Sequence, residues 1–563
     1  MVKARIQAIL ESVLREMSLQ PPARLQIDTP RDRQHGDFST NVALLLAPKS
    51  GVQPAELARR IAAALASRPD LDADVSVAGP GFINFRLRAG QASAALARLL
   101  QQGSAVGRAD AGAGSRVQVE FVSANPTGPL NVVSARGAAY GSTLAAMLRL
   151  IGYDVQCEFY VNDAGRQVEL FGASVRAHFA TAAGRDEPVP ADGYHGDYVR
   201  ALAAAAPPAA RAWLELPAPD SALAFGQFAV DRMLATQQAD LERFGVRFER
   251  WFRESELYAA GAVGSTRRQL EASGHTYWHD GALFFRSTTW GDDKDRVLVR
   301  SDGTPTYFLA DAAYHRDKHE RGFRHVVYVW GPDHHGHVGR MQALARALGY
   351  AEDWLEVVIV QQVNLLEAGE AVRMSKRAGA IVTLADLMDE VGADVAKFFF
   401  LMRQHSSHLD FDLDLARRQS DENPVYYVKY AHARICSVIR RAGETDLWLR
   451  APELSAAMAG PAGAPLPEAA ALDRLETAEE QELIKLLVDY GEFVRRAAAA
   501  REPHRLTAYG AEVARAFHKF YHEHRVIQAD RDLALARLAL CHATRRVLAS
   551  VLGLMSIAAP EAM

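Results

Sequence analysis

Short runs of β-branched residues alternate with helical stretches through the middle of the chain, and this alternation constrains the fold more than any other feature. The run Val117–Phe121 is followed by a Pro/Gly loop and a helical stretch from about residue 134 to residue 151. Later runs at Val326–Trp330 and Val357–Val363 are each followed by a loop and a helix. This order predicts a doubly wound parallel sheet, a Rossmann-like α/β domain that binds ligands beyond the carboxyl ends of its strands.

The segments on either side of this domain have different patterns. Residues 1–102 mix helical stretches with strands at Val75–Val77 and Phe82–Leu87, which predicts an N-terminal α+β domain. After about residue 420 the apolar residues follow helical spacing only, which predicts an all-α C-terminal domain.

Three Gly/Ala/Pro-rich stretches bury little and favour turns, so each is a candidate linker or surface insertion. They lie at 103–115, 203–220 and about 443–473. We therefore expect domains at 1–102, 115–420 and 421–563.

The composition excludes several classes of protein. The 563 residues are 49% hydrophobic and 23% charged, which excludes collagen, coiled-coil arrays and wholesale disorder. No apolar run approaches the roughly 20 residues of a membrane span. The N-terminal MVKARIQAILESVLREM carries charges throughout an amphipathic helical pattern, so we interpret it as mature structure rather than a signal peptide. Cys157, Cys436 and Cys541 form no CxxC pair, which indicates reduced thiols in a cytosol.

The net charge of −4 argues against a protein that simply coats nucleic acid, because phosphate neutralisation dominates such binding. It leaves room for an enzyme with local basic faces. Between Arg501 and Arg546 there are nine Lys/Arg, five Asp/Glu and five His, a local net charge of +4 with His neutral. This distribution favours binding of one RNA by shape and selected bases over binding of any polyanion.

Three loops at predicted strand ends carry residues suited to chemistry. The first, 123–129, leads into Asn131–Ser134 at the start of a helix, where free backbone N–H groups can bind a phosphate. The second is Gly331–His337, and the third is the basic segment Arg373–Arg377. The sequence has no GxxxxGK[ST] P-loop and no GxGxxG at a strand–helix turn, so a bound nucleotide must be held in another way.

Ten blocks, in order along nearly the whole chain, resemble the class I arginyl-tRNA synthetases. They are HGDFSTNVAL (35–44), VAGPGFINF (77–85), VEFVSANPTGPL (119–130), YVNDAG (160–165), VRSDGTPTYFLADAAYH (299–315), YVWGPDHHGH (328–337), RMSKRAG (373–379), FDLDLA (411–416), ENPVYYVKYAHARI (422–435) and the ending APEAM. One block alone is a weak signal, whereas this many in the family's order is highly specific. The resemblance implies an N-terminal domain that binds the tRNA D-loop, a catalytic domain with a connective insertion at about 172–300, and an anticodon-binding helical domain.

The resemblance implies a two-step reaction. The carboxylate of arginine attacks the α-phosphate of ATP and releases pyrophosphate, and a hydroxyl of the terminal adenosine of tRNA(Arg) then takes the arginyl group. Mg²⁺ is expected with ATP, and no protein-bound structural metal is expected. By the same resemblance, the protein is expected to be a cytoplasmic monomer that does not bind membranes.

Positioning and charge neutralisation dominate phosphoryl chemistry of this kind. Lys376 would therefore reach the leaving phosphates as a point charge, and Ser375 would offer a hydroxyl. Arg373 stands where the family often has lysine, which keeps the charge but changes the donor geometry. The resemblance adds three further ATP contacts, from Met374, His334 and His335.

The arginine substrate needs carboxylates to hold its guanidinium, best in bidentate fashion. By resemblance the pocket residues are Glu120, Ser123, Asn125, Tyr307, Asp311 and Asp333. Tyr307 and Asp311 are four residues apart, so on a helix they share a face and can converge on one ligand. We expect Asp311 to be the guanidinium partner.

The chain departs from the family at its first signature, His-x-Gly-His, whose imidazoles contact the ATP phosphates. Here the positions read Asn131, Val132, Val133 and Ser134. Asn and Ser can donate hydrogen bonds to a phosphate but cannot be cationic, and Val133 adds a branched side chain where Gly allows close approach. Losing charge-assisted bonds costs roughly 1.5–3 kcal/mol each. Arg136, on the same helical turn, is a candidate substitute.

Several residues are expected to contact tRNA by the resemblance. Phe82 and Asn84 would stack on and bond to a base of the D-loop, with Phe82 as a core residue an equally favoured alternative. Tyr521 and Arg525 match positions that face the anticodon, with a stacking or cation–π role, and so does the terminal Met563.

Other residues have plainer interpretations. His334, His335 and His337 have the look of metal ligands but are expected to orient ATP or their own loop. The i, i+4 pair His518 and His522 has no third ligand, which favours a solvated or RNA-facing helix over zinc. Tyr426, Tyr427 and Tyr430 are interpreted as packing residues where the helical domain meets the sheet.

Three functional hypotheses follow. We favour an active arginyl-tRNA synthetase with an altered first signature, because Arg373–Arg377, the arginine pocket and both tRNA-binding ends are present. A silent relative that only binds tRNA is the alternative, favoured by Asn131–Ser134. A synthetase for another amino acid is disfavoured by Asp311, Asp333 and the N-terminal block.

Overall fold

The computed structural model describes residues 2–22, 25–28, 30, 35–87, 90–372, 382–444 and 472–563. The helices are α1 (Val2–Glu16), α2 (Val42–Ser50), α3 (Pro54–Ala66), α4 (Gln91–Gln101), α5 (Val132–Leu150), α6 (Arg166–Ala182), α7 (Asp197–Ala204), α8 (Ala210–Trp213), α9 (Ala218–Arg243), α10 (Glu254–Ala259), α11 (Ala262–Ala272), α12 (Tyr307–Glu320), α13 (Val338–Ala347), α14 (Leu384–Val391), α15 (Ala393–Phe400), α16 (Leu413–Arg417), α17 (Pro424–Gly443), α18 (Ala478–Ala499), α19 (Arg505–Glu523) and α20 (Arg531–Leu554). The strands are β1 (Phe38–Thr40), β2 (Ala73–Ala78), β3 (Phe82–Leu87), β4 (Arg116–Phe121), β5 (Asp154–Val161), β6 (Arg250–Arg253), β7 (Thr276–His279), β8 (Ala282–Phe285), β9 (Arg296–Val299), β10 (His325–Trp330), β11 (Leu355–Ile359), β12 (Val363–Glu367), β13 (Glu370–Ala371) and β14 (Leu409–Asp412).

A five-stranded parallel sheet forms the centre of the molecule, in the order β11-β10-β4-β5-β6. Helix α5 joins β4 to β5 and α13 joins β10 to β11. The predicted doubly wound Rossmann-like domain is therefore confirmed. The strand order reverses between β4 and β10, which places a ligand crevice at their carboxyl ends.

The two faces of β4 are buried differently. Val117, Val119 and Phe121 point to the α5 side and join the main apolar core, whereas Gln118 and Glu120 are buried on the opposite face. On the α5 side the approach is close, because a Cβ added to Gly141 would lie 2.2 Å from Phe121 Cγ. Glycine at this position lets α5 lie tightly against the strand.

The apolar run Val357–Val363 is not one strand. Strand β11 ends at Ile359, and β12 begins at Val363 in a separate three-stranded sheet, ordered β13-β12-β14. At the turn between them, the carbonyl oxygens of Gln361 and Gln362 accept hydrogen bonds from the guanidinium of Arg136. The run looked continuous because apolar residues line both strands, but this turn redirects the chain.

The predicted insertion consists of two packed units separated by a strand of the central sheet. Helices α6 to α9 enclose their own apolar cluster, with α6 and α9 so close that a Cβ at Gly172 would lie 1.9 Å from the Ala222 carbonyl oxygen. The second unit is an antiparallel sheet, β7-β8-β9. Between them β6 pairs with β5 at the edge of the central sheet, although its residues lie within 172–300.

The N-terminal domain is α+β and the C-terminal domain is helical, as predicted. Strands β1, β3 and β2 form an antiparallel sheet that α1, α2 and α3 cover. In the C-terminal domain α17 to α20 pack together, and the Arg546 guanidinium donates to the Leu100 carbonyl on α4 at 2.9 Å. None of the helices in the described ranges is long and apolar enough to cross a bilayer.

Candidate active site

The loops after β4 and β10 meet at the carboxyl ends of neighbouring strands, as the sequence predicts. Asn131 is the N-cap of α5, and its side-chain oxygen accepts hydrogen bonds from the backbone N–H groups of Val133 at 3.1 Å and Ser134 at 3.0 Å. The cap thus occupies two of the N–H groups that could have faced a phosphate. The cap leaves the Asn131 amide nitrogen and the Ser134 hydroxyl as the side-chain donors at this helix start.

The basic segment that follows β13 lies outside the described residues, which resume at Val382. The predicted ATP residues that fall there are Arg373, Met374, Ser375 and Lys376. Where the described chain resumes, Thr383 pairs with Asn131, and the Leu384 N–H donates to the Leu130 carbonyl at 2.8 Å. The structure therefore joins the chain just after the basic segment to the start of α5.

Arg136 is not placed to bind ATP, which corrects the sequence-based expectation. Its side chain is 1% exposed, and its guanidinium donates to the carbonyl oxygens of Gln361 at 2.8 Å, Ser407 at 2.9 Å and Gln404 at 3.0 Å. Burial lowers the pKa of Arg136 to about 10, so the group remains cationic. Arg136 holds the β11–β12 turn against α5.

Replacing Arg136 therefore tests a structural role. We expect Arg136→Met to lower the free energy of unfolding by about 2–4 kcal/mol, because buried carbonyl groups lose their donors, and to change the Michaelis constant for ATP less than about threefold. Denaturant unfolding and pyrophosphate-exchange kinetics measure the two quantities. Arg149→Met is the control, because Arg149 lies on the same helix, is 41% exposed and pairs with Glu249. It should lower the free energy of unfolding less than Arg136→Met does. A large rise in the ATP constant with unaltered stability would restore Arg136 as an ATP ligand.

Two acidic side chains, Glu254 and Asp311, form a carboxylate pair at the carboxyl end of the sheet. Burial raises the pKa of Glu254 to about 7. Burial, together with the charge of Glu254, raises the pKa of Asp311 to about 7. No ion pair joins either carboxylate to a lysine or arginine in the part of the chain that the structure describes. Glu254 is 3% exposed and Asp311 is half-buried, and carboxylates in such surroundings suit a cationic ligand.

Polar groups surround the carboxylate pair. The Tyr258 hydroxyl donates to Glu254 Oε1 at 3.4 Å, and the Asn162 side-chain amide faces Glu254 Oε2 at 3.0 Å. Tyr307, one helical turn before Asp311, is 52% exposed. The Tyr307 hydroxyl lies close to Gly165, 3.4 Å from the position that a Cβ atom would take on that residue. The predicted common face of Tyr307 and Asp311 is therefore present on α12.

Glu254 was missed by the sequence reasoning. It follows β6 directly and begins α10, a position that brings it to the same edge of the sheet as the other strand-end loops. The signal that could have found it is the four-residue strand Arg250–Arg253 followed directly by an acidic residue. That strand lies within the predicted insertion, where the sequence pattern does not indicate that it pairs with the central sheet.

The other predicted pocket residues occupy different surroundings. Ser123 has φ +37° and its hydroxyl donates to Glu120 Oε1 at 3.1 Å, while Asn125 is exposed. Glu120 lies beneath this loop, largely buried. Asp333 is exposed, and its carboxylate lies 3.5 Å from His334 Nε2. Asp333 therefore contacts a residue of its own loop rather than the carboxylate pair.

The histidines after β10 lie at the crevice. His334 and His335 are exposed, with the ring centroid of His334 5.8 Å from that of Trp330. Burial and the charges of Arg340 and His334 lower the pKa of His337 to about 4, so that ring is neutral at physiological pH. Within the described ranges no three His, Cys, Asp or Glu side chains form a group that could hold a metal ion.

Phe82 and Asn84, the residues expected to meet the D-loop, differ in exposure. Phe82 is 40% exposed at the start of β3, so it is not a core residue and the alternative interpretation is wrong. Asn84 is 4% exposed between Ser39 and Ser76 of the neighbouring strands. Phe82 can stack on a base, whereas little of the Asn84 side chain reaches the surface.

On the helical domain, aromatic rings and cations lie together on α17 and α19. The Arg434 guanidinium lies 4.7 Å from the Tyr521 ring centroid and donates to the Tyr430 hydroxyl at 2.7 Å. Tyr430 is exposed and stacks with His518, so it is not a packing residue as predicted, whereas Tyr426 and Tyr427 are partly buried against the core. Arg525 and Met563 are exposed.

Three family models together match most of the chain. The arginyl tRNA synthetase N terminal domain matches residues 3–87, and the class I (R) tRNA synthetase catalytic domain matches residues 95–404. The DALR anticodon binding domain matches residues 428–563. These matches follow the three structural units in order.

Relatives of known name are similar over the full length. The arginine--tRNA ligase of Heliobacterium modesticaldum is 45% identical over 569 residues, covering 100% of this chain and 99% of the relative. The arginine--tRNA ligase of Desulforudis audaxviator is 46% identical, covering 95% of this chain and 93% of the relative. The Thermus thermophilus arginyl-tRNA synthetase structure has the same fold, with a TM-score of 0.76 at 23% identity and 100% coverage of both chains. The chain therefore belongs to the arginyl-tRNA synthetase family of class I.

Proposed function

We propose that this synthetase activates arginine with ATP and transfers it to tRNA(Arg), with Glu254 and Asp311 as the guanidinium site. The observation that supports this most is the carboxylate pair of buried Glu254 and half-buried Asp311: neither forms an ion pair with a lysine or arginine of the described residues, and the charge of Arg340 acts on Asp311 without a close contact. A guanidinium is planar, always charged and able to bind two carboxylates at once. We assign Tyr307, Ser123, Asn125 and Asp333 to the same arginine pocket, as the resemblance implies.

The first step needs little covalent participation by the protein. The arginine carboxylate attacks the α-phosphate, the bond to the leaving pyrophosphate breaks, and arginyl-adenylate forms. We assign phosphate binding to the Asn131 amide, the Ser134 hydroxyl and the start of α5. In the basic segment we assign it to Lys376 and Ser375, with Arg373 and Met374 beside them.

ATP binding extends to the neighbouring strand end, where His334 and His335 face the same crevice. Mg²⁺ would enter with the ATP phosphates and neutralise part of their charge, held by the phosphate oxygens rather than by a cluster of protein ligands.

In the second step a hydroxyl of the terminal adenosine attacks the arginyl carbonyl and releases AMP. We propose that Phe82 and the edge of Asn84 contact the D-loop, and that Tyr521, Arg525 and Met563 contact the anticodon, with Arg434 stacked on Tyr521. The aromatic and cationic side chains suit unpaired bases. We propose that the enzyme acts as a cytoplasmic monomer with the domain limits expected from the sequence.

The charging assay tests this function. Purified protein, ATP, Mg²⁺ and transcribed tRNA(Arg) should yield arginyl-tRNA, and a panel of the other amino acids should not be charged. The silent alternative predicts tRNA binding without charging, and a different synthetase predicts charging with another amino acid. Full-length relatives that are arginine--tRNA ligases support the active enzyme.

The carboxylate pair makes arginine binding depend on pH. Because burial raises the pKa values of Glu254 and Asp311 to about 7, both are substantially protonated below neutral pH and ionised above it. A cationic guanidinium binds the ionised pair, so the Michaelis constant for arginine should fall about tenfold from about pH 6 to about pH 8. Steady-state kinetics across this range measure the effect. A pH-independent constant in the unaltered enzyme would show that the pair does not bind the substrate.

A further inference from the structure

A buried polar layer lies between helix α12 and the central sheet, directly beneath the arginine pocket. Lys318 is 0% exposed, and its Nζ donates to Glu120 Oε2 at 2.6 Å. The Tyr314 hydroxyl lies between the two carboxylates, 2.5 Å from Glu158 Oε1 and 3.0 Å from Glu120 Oε2. Arg321, just beyond α12, makes a two-point contact with Glu158 at 2.6 and 2.9 Å. Glu120 and Glu158 belong to neighbouring strands, so α12 is bonded to both.

Each buried carboxylate of this layer contacts a cation, and Arg321 is shared with Asp317 at the end of α12. Two carboxylates, Glu120 and Glu158, meet two cations, Lys318 and Arg321. Lys318 is also enclosed by aromatic rings, with its Nζ 3.9 Å from the Tyr328 ring centroid. Lys318 is therefore the lysine that neutralises Glu120, whereas Arg321 serves Glu158 and Asp317.

The layer is connected to the pocket through one hydroxyl. Glu120 Oε1 accepts from the Ser123 hydroxyl at 3.1 Å, and that hydroxyl accepts in turn from the Tyr160 N–H at 3.1 Å. The backbone there is unusual, since Val122 has φ +69° and Ser123 has φ +37°. A β-branched residue in the left-handed region is strained, so surrounding contacts must hold it. Glu120 provides one of those contacts.

We propose that Lys318 is a positioning residue for arginine binding: it neutralises the buried Glu120 carboxylate and holds it against the Ser123 hydroxyl, at the start of the loop that carries predicted pocket residues. This assignment rests on the proposed guanidinium site. Without the Lys318 ammonium, Glu120 is a buried carboxylate that has lost its cation, and its charge acts on Asp311. It then either turns toward the substrate or takes up a proton, and in both cases the Ser123 loop loses its anchor.

A double-mutant cycle in the full-length enzyme tests the proposal, after the unaltered enzyme has been shown to charge arginine. We expect Lys318→Met to raise the Michaelis constant for arginine at least about tenfold and to leave that for ATP within about twofold. The double variant Lys318→Met/Glu120→Gln should recover to within about threefold of Glu120→Gln alone, because charge balance is restored. If the unaltered enzyme charges no arginine, the proposed function is wrong. If it charges arginine and the variants do not behave as stated, only the positioning role of Lys318 is wrong.

Lys397→Met provides the matched control. Lys397 is another buried lysine, on α15, where it contacts the Ser556 carbonyl and Asp394 rather than the pocket. It should reduce stability without changing the arginine constant. An unchanged arginine constant in Lys318→Met, or a double variant no better than that single variant, would overturn the proposal. Should Lys318→Met not fold, a Glu120→Gln variant with an unaltered arginine constant would overturn it equally.

Discussion

Asp311→Asn should raise the Michaelis constant for arginine about 100-fold. The change keeps the shape of the side chain but removes the charge that meets the guanidinium, and breaking a buried charge pair costs about 2–5 kcal/mol. The same reasoning applies to Glu254→Gln, since the two carboxylates share one buried environment. Neither change should alter the constant for ATP more than about twofold.

Glu320→Gln is the matched control for these variants. Glu320 ends the same helix, α12, and pairs with Arg316 as a 60% exposed side chain, so its replacement should leave arginine kinetics unaltered. Pyrophosphate exchange in the presence of tRNA measures both constants. An unaltered arginine constant in Asp311→Asn and Glu254→Gln would remove the carboxylate pair from the substrate site.

Lys376→Ala should lower the rate of arginyl-adenylate formation about 100- to 1000-fold, because a cation aimed at the developing charge on the leaving phosphates is lost. Binding of tRNA, which we assign to the N-terminal and helical domains, should change less than about twofold. Single-turnover adenylate formation and filter binding measure the two quantities. Lys376→Arg keeps the charge with a different donor geometry, so its rate of adenylate formation should lie between the rates of the unaltered enzyme and of Lys376→Ala. Equal losses in rate and tRNA binding would contradict the assignment.

The sequence predicted the parts of the molecule where the residue pattern matches the geometry directly. β4 alternates apolar residues with polar ones, β10 is a nearly continuous apolar run, and a residue that can cap α5 directly precedes it. The prediction failed where the pattern was ambiguous. One apolar run became β11 and β12 because nothing in the run itself indicates the turn that Arg136 holds.

The candidate site was predicted in part for a related reason. Asp311 was predicted from the resemblance to the family, and its i, i+4 spacing from Tyr307 adds that the two residues share a helical face, which is a local property. Glu254 was missed because its place beside Asp311 depends on β6 joining the central sheet across a long insertion. Arg136 was misassigned because spacing puts it near the first signature, whereas its burial depends on strands more than 200 residues away.

Discrimination between arginine and citrulline tests the central claim most directly. Citrulline has the shape of arginine, with a neutral ureido group in place of the guanidinium, so it would leave Glu254 and Asp311 without a cation. The measurement is kcat/KM for charging tRNA(Arg) with each amino acid at about pH 8, where the pair is ionised. We predict efficient charging with arginine and a kcat/KM for citrulline lower by at least about 100-fold. Comparable values for the two amino acids, or charging with neither, would contradict a synthetase whose buried carboxylate pair selects arginine by its charge.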